Sequence, residues 1–321
     1  MSVVRPLLFA ACLVAVACTT SAPPTGPGPV PPMATGPCGL SAAPSFADHV
    51  IWIWMENHDY ADVIGASAAP YATDLAARCA VVTDFHSVGS PSLPNYIAAA
   101  SGSTQGITDN DVPLAHPIGV PNIFSLVKAS GREWRSYQES APGNCSSATT
   151  ALYAVKHDPA PYFTNIAVDC LSWDVPMGTT SSGNFLSDLN AGHLPAFASI
   201  TPNLCNDTHD CSVATGDQWL AAWIPKIVAA PNYVAGDTAI FIVWDEGRAA
   251  DHVPAIIVSP FTRVGAVSNT RFDHYSLLKT TEQLLGLSPN LANASSATSM
   301  LAVFFSGSIG VPQRIIERFE F

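Results

Sequence analysis

Positive charge is scarce in this sequence. Lys and Arg together number 13 of 321 residues, against 25 Asp and Glu, and the formal net charge is −12. No basic run occurs, which excludes nucleic-acid binding through a cationic face. An anionic substrate would have to be held by local groups: a metal ion, histidines or backbone N–H donors. Charge of either sign is low, at 12% of residues, about half the usual share. The Gly-x-Ser-x-Gly elbow of serine hydrolases is missing, because the nearest stretch reads Gly89-Ser-Pro-Ser-Leu93. That weakens an acyl-transfer reading. No internal repeat is visible. The N-terminal apolar run, Pro6 to Ala17, is too short and wrongly flanked for a membrane span.

That run has instead the form of an export signal. Arg5 supplies the positive start, and Ala15-Val-Ala17 fits a cleavage site. Cys18 directly afterwards makes the stretch also resemble a lipobox, so lipidation at Cys18 is favoured over free secretion. Residues 1–18 are thus assigned as a signal peptide and 19–45 as a Pro-, Gly- and Thr-rich tether that lacks the apolar area to fold. The domain proper is 46–321. Six cysteines remain beyond the leader, an even number that suits three disulfides in an exported chain. Proximity pairs Cys205 with Cys211, and then Cys145 with Cys170 and Cys38 with Cys79; buried free thiols are the plainer alternative.

Continuous apolar runs at 50–55 and 239–244 read as buried strands, with further strands at 80–86, 133–137, 196–201 and 255–259. Helical patterns lie between them, at about 70–79, 94–101, 121–130, 216–230 (with a kink expected at Pro225) and 274–286. This alternation predicts an α/β fold, a three-layer α/β/α sandwich around a mostly parallel sheet. Ligands in such sheets bind beyond the carboxyl ends of the strands. The residues there are Glu56-Asn57-His58, Ser90-Pro-Ser92, the 203–210 segment, Asp245-Glu246-Gly247 and Pro260.

Acids therefore collect at one edge in a chain poor in charge. Asp245 and Glu246 end a buried strand, where two carboxylates need a cation nearby. Glu56 and Asn57 offer further hard oxygen ligands. Cys205 to Cys211 would close a small loop holding Asp207, His209 and Asp210, and a histidine among acids suits general acid catalysis. Ser92 stands where it would cap a helix opened by Pro94, and a helix start also receives phosphate. Each has a plainer reading: solvated loop acids, a helix cap, a surface loop. His157, beside Tyr162-Phe163, is by itself more often structural. His252 and His274 are ambiguous.

Five segments, "WMENHDYADVIG", "PSLPNYIAAASG", "NDTHDCSVATGDQWL", "VWDEG" and "HYSLLKTTEQLLGL", together resemble the bacterial phosphoesterase family of phospholipases C and acid phosphatases. That family lies within the alkaline-phosphatase-like superfamily. The likeness extends to secreted mycobacterial-type acid phosphatases described as phosphatidylinositol 3-phosphatases, and it runs over about residues 46–305. It implies metal ligation by Glu56, Asn57, Asp245 and Glu246, with Ser92 as a metal-bound nucleophile. It implies phosphate contacts from Asn95, His157 and His209, and matches His274 to a motif of less defined role. Asp245-Glu246 departs from the Asp-His of two-metal members. One hard divalent cation is therefore expected, Mg²⁺, Ca²⁺ or Mn²⁺ rather than Zn²⁺, with Asp207, His209 and His252 as a lesser candidate for a second site.

The expected activity is a metal-dependent phosphomonoesterase of acid-phosphatase type, acting on small phosphate esters or phosphoinositides through a phosphoserine at Ser92, with His209 or His157 protonating the leaving group. Alternatives are a phospholipase C-type phosphodiesterase on the same site, a metal-free serine esterase, or a non-catalytic surface binding protein. The expected location is exported, with membrane contact only through the N-terminal lipid.

Overall fold

The two longest apolar strands lie side by side in the middle of one sheet. The computed structural model describes residues 36–305, together with Met1. The expected signal peptide, Cys18 and most of the tether fall outside the described residues. The backbone divides into two units, Met1–Pro31 and Pro32–Phe321, and all the described strands and helices belong to the second. Among the described residues nine strands are formed: β1 His49–Met55, β2 Ala80–His86, β3 Trp134–Gln138, β4 Asp174–Pro176, β5 Phe197–Thr201, β6 Thr238–Trp244, β7 His252–Val258, β8 Ala266–Ser268 and β9 Phe272–Asp273. Their order is β4-β3-β5-β1-β6-β7-β2-β8, with β9 paired to β2. All six strands read from the sequence are present. Every residue of β6 is buried, as a strand covered on both faces requires.

Only β7 runs against its neighbours among the described strands, pairing antiparallel with both β6 and β2. The remaining pairs are parallel. This reversal changes which end of β7 matters. Pro260, which follows β7, lies at the opposite edge from the other strand ends. His252, which starts β7, pairs instead with His86 at the end of β2.

The pleat of β1 decides which helices cover which face, because successive side chains point to opposite sides. Trp52 Nε1 donates to Thr281 Oγ1 at 2.9 Å, and the Trp54 ring lies 4.5 Å from Tyr96. That face therefore carries the helices Ser92–Ser101 and His274–Leu284. Met55 points the other way. There it lines an apolar gap with Ala72 and Leu220, from the helices Pro70–Arg78 and Val213–Val228. Pro225 lies inside the second of these, which runs through it unbroken; the proline itself is exposed.

The three disulfides pair as expected: Cys38–Cys79, Cys145–Cys170 and Cys205–Cys211. The first corrects the expected tether boundary. Leu40 and Ser41 both donate to the Pro260 carbonyl, and Tyr233 Oη donates to the carbonyl of Pro37. Residues 37–41 are thus fastened to the domain by a covalent bond and backbone hydrogen bonds, although their composition reads as linker. Among the described residues no helix is long and apolar enough to cross a membrane.

Candidate active site

Parallel register alone brings the first acids together. Met55 pairs with Trp244, so Glu56 and Asp245 leave adjacent strand ends side by side. Both are fully buried, and Glu246 is 7% exposed. Burial holds the Glu56 carboxyl well above the usual range, with Asp245 and Asp207 adding to the effect. Burial and then Glu246 push Asp245 up to about 7, and burial chiefly pushes Asp207 up to about 8. Asp245 Oδ2 and Asp207 Oδ2 are buried without a hydrogen-bond partner. Buried acids in such number lack the positive charge that would make them stable as carboxylates.

Asn57 completes this wall. Its backbone sits at φ 34°, a left-handed conformation that asparagine tolerates better than most residues. With its amide nitrogen inward, the side chain donates to Glu56 Oε2 at 2.8 Å and Asp245 Oδ1 at 3.1 Å. With its carbonyl oxygen inward, it adds another oxygen to the cluster. The donor set of Glu56, Asn57, Asp245 and Glu246 therefore fits one hard cation.

Ser92 faces the same point from the other side. It is the first residue of the Ser92–Ser101 helix rather than its cap; Pro91 holds the cap position, and no side-chain cap bond forms. Its Oγ is thereby free of the backbone and donates toward Glu56 Oε2 at 3.3 Å and Glu246 Oε1 at 3.2 Å. One turn on, on the same helix face, Tyr96 donates its hydroxyl to Glu56 Oε1. The sequence reading did not single out Tyr96; its spacing from Ser92 was the available signal.

Asn95 behaves differently from what the resemblance implies. Its Oδ1 accepts from Val88 N and Gly89 N, each at 3.0 Å, and its Nδ2 donates to the carbonyls of Gly89 and Pro91. In this structure the whole amide braces the loop that delivers Ser92.

The four candidate histidines occupy different settings. His157 is buried beside Glu56, with Nε2 3.2 Å from Glu56 Oε1 and Nδ1 3.4 Å from Asp207 Oδ2. Burial, then Lys156 and His209, hold its imidazole well below the usual range. Its Nε2 has no hydrogen-bond partner, and Glu56, His157 and His209 present ligand atoms within 4.8 Å of one another. His209 is more open, at 27% exposure, with Nδ1 2.7 Å from Asp210 Oδ1. His274 is fully buried against Trp54 and Phe85. Its Nε2 lies 2.7 Å from the backbone oxygen of Asp245, and burial lowers it to about 4. It is a neutral prop behind Asp245 with no opening to substrate.

His252 is elsewhere. Its ring stacks on Tyr60 and His86, and its Nε2 meets the Thr83 carbonyl at 3.0 Å. It joins no group of close ligand atoms among the described residues, so the second set suggested by the sequence, Asp207, His209 and His252, is not assembled.

Near the site, Gly216 and Gly247 are required by space. A Cβ on Gly216 would stand 2.3 Å from Thr208 Cγ2 and 2.7 Å from Met55 Cε, so the helix it belongs to lets the Cys205–Cys211 loop settle against β1. A Cβ on Gly247 would stand 2.1 Å from both Ala250 O and Asp59 Oδ1. Asp59 in turn accepts from the backbone N–H groups of Ala249 and Ala250. This folded-back loop forms one wall of a cavity of about 400 Å³ that reaches Glu246, with Val88, Gly89 and Ser90 on the other wall.

Known proteins resemble this chain over most of its length. The Phosphoesterase family model matches residues 65–288. The chain is 33% identical over 261 residues to a phosphatidylinositol-3-phosphatase of Mycobacterium tuberculosis, covering 80% of this chain and 82% of that protein. It is 29% identical to an acid phosphatase of Aspergillus fumigatus, covering 78% of this chain but 57% of the longer fungal protein. Two solved structures share the fold at low identity. A protein in the alkaline phosphatase superfamily from Vibrio parahaemolyticus aligns with TM-score 0.53 and 10% identity, over 82% of this chain and 72% of that one. The lipoteichoic acid synthase LtaP from Listeria monocytogenes aligns with TM-score 0.53 and 11% identity, over 79% and 77%. With its acids, serine and histidines gathered at one edge of an alkaline-phosphatase-like sheet, the chain belongs to the Phosphoesterase family and is a phosphoric ester hydrolase.

Proposed function

We propose that the chain is an exported, metal-dependent phosphomonoesterase of acid-phosphatase type that works through a phosphoserine at Ser92. The observation that carries this reading is Ser92 Oγ held between Glu56 and Glu246, beside the unpartnered Asp245 Oδ2. Glu56, Asn57, Asp245, Glu246 and Ser92 would hold one divalent cation. When bound, that ion supplies charge neutralisation for phosphoryl oxygens and favours the alkoxide form of Ser92.

Ser92 Oγ forms the new bond to phosphorus, its proton passing to an adjacent carboxylate oxygen. The bond from phosphorus to the ester oxygen breaks, and His209, carrying a proton on Nε2, gives it to the departing alkoxide. Water then attacks the phosphoserine and loses a proton to His209 Nε2. The P–Oγ bond breaks and Ser92 regains its proton. His209 takes the acid role rather than His157 because His157 is only 2% exposed. The Ser92–Ser101 helix starts at the same phosphoryl group and turns its positive end to it, although Leu93 N already donates to Asn110 Oδ1 at 3.0 Å and Pro94 has no N–H.

The substrate class we infer is small phosphate monoesters, phosphoinositides among them, supported by the identity to the mycobacterial relative. The decisive assay compares p-nitrophenyl phosphate hydrolysis before and after full chelation. Loss with recovery on adding Mg²⁺, Ca²⁺ or Mn²⁺ is expected, and activity that survives both chelation and Ser92→Ala overturns the proposal.

A further inference from the structure

Lys156 lies between the nucleophile and the general acid. Its Nζ is 3.5 Å from Ser92 Oγ and 3.1 Å from His209 Nε2. It comes from the short turn Val155–His157, whose next residue, Asp158, is anchored by Tyr153 Oη at 2.8 Å and Ser136 Oγ at 3.4 Å. The chain has almost two acids for each Lys or Arg, yet Lys156 is in no ion pair among the described residues. Arg248, the other cation close by, is turned to the Asn57 carbonyl at 2.9 Å. Lys156 is thus a half-buried cation pointed at the place where phosphorus must stand.

We propose that Lys156 is the residue that fits this site to a phosphate monoester rather than a diester. This rests on the phosphoesterase reading of the site and deepens it. A monoester dianion presents three non-bridging oxygens sharing two charges. A diester presents two that share one. The serine, the acids with their cation and the helix start face one side of the phosphoryl group. Lys156 faces the remaining oxygen, which only the monoester offers as a charged acceptor.

The same contact governs His209. A lysine ammonium only donates, so His209 Nε2 accepts from it, and the ring proton sits on Nδ1 toward Asp210. Arrival of the phosphoryl group gives Lys156 a stronger acceptor. His209 Nε2 is then released, takes up a proton from solvent and gives it to the leaving oxygen.

The test uses the whole chain, with Lys156→Ala, Lys156→Gln and Lys156→Arg. Three quantities are read: kcat/KM on p-nitrophenyl phosphate, kcat/KM on bis(p-nitrophenyl) phosphate, and calorimetric affinity for inorganic phosphate. A lost charge-assisted hydrogen bond corresponds to roughly ten- to a hundredfold. Lys156→Ala and Lys156→Gln should lose about that factor on the monoester and in phosphate affinity, with little change on the diester, and Lys156→Arg should recover part. An equal fall on both esters, or unchanged phosphate affinity, overturns the assignment. If the unaltered chain binds phosphate through Lys156 but hydrolyses neither ester, the phosphatase reading fails and the phosphate contact stands. Should the alanine variant not fold, the glutamine and arginine variants give the same comparison.

Discussion

Ser92 Oγ lies 3.2 Å from Glu246 Oε1, a residue 154 positions away in the chain. A serine hydroxyl between two buried acids is poorly placed to lose a proton in the bare protein and well placed to do so beside a cation. Removing the hydroxyl should therefore separate chemistry from stability. Ser92→Ala is expected to lose on the order of 10³-fold or more in kcat with an unchanged thermal midpoint. Acid-quenched wild-type protein should carry one phosphoryl group on the peptide containing Ser92, and the variant none. A phosphorylated peptide lacking Ser92 counts against the assignment.

Chelation should make stability depend on pH in a defined direction. Asp245 and Asp207, raised to about 7 and about 8 by burial, bind protons in the folded chain at pH values where the unfolded chain has released them. The unfolded state then holds fewer protons, so stability falls as pH rises from about 4 to 8. A bound cation replaces those protons and flattens the slope. Thermal midpoints measured across that window, with chelator and with Mg²⁺ or Ca²⁺, check this; coincident curves would argue against a metal at these acids.

The role of His209 can be read from leaving groups. His209→Ala should slow alkyl phosphates, whose alkoxides need a proton, by on the order of 10²–10⁴. It should affect p-nitrophenyl phosphate far less. His157→Ala should instead slow both alike and weaken metal affinity, because His157 sits against Glu56. Equal effects of His209→Ala on all esters would remove it from the acid role.

His274 acts on Asp245 through the backbone, by its 2.7 Å contact to that residue's carbonyl. Its imidazole, lowered to about 4, stays neutral through mildly acidic conditions, so the contact holds there. His274→Ala leaves that buried carbonyl unpaired. About a ten- to hundredfold loss of metal affinity is expected by analogy with the groups that orient ligands at other metal sites, with the KM for substrate little changed at saturating metal. Titration of metal into the chelated variant measures it.

The disulfides should divide between stability and activity. Chain entropy gives about 4 kcal/mol for a loop the size of that closed by Cys38–Cys79, whose sequence separation is 41. It gives about 2 kcal/mol for Cys205–Cys211, with separation 6. Yet the smaller loop carries Asp207 and His209. Replacing Cys205 and Cys211 by serine should lower kcat more than the thermal midpoint, and replacing Cys38 and Cys79 should do the reverse.

Composition and order along the chain were enough for much of this. Apolar runs ending in acids gave β1 and β6 with Glu56 and Asp245 behind them, because a strand buried on both faces must be apolar throughout and its polar successor must then stand at the sheet edge. Even number and spacing of cysteines gave the three pairs. Other features depend on contacts between distant segments and have no local signature. The reversal of β7 moved His252 to the end of β2 and Pro260 away from it, and strand direction is set by pairing partners. Asn95 lies one turn from Ser92, but only the folded loop 88–91 shows its amide already engaged. Lys156 and His209 are 53 residues apart and meet because β3, β5 and their following loops share one edge. Local sequence determined which groups could do chemistry here; long-range packing decided which of them face the phosphorus, since burial and hydrogen-bond partners exist only once the sheet has closed around them.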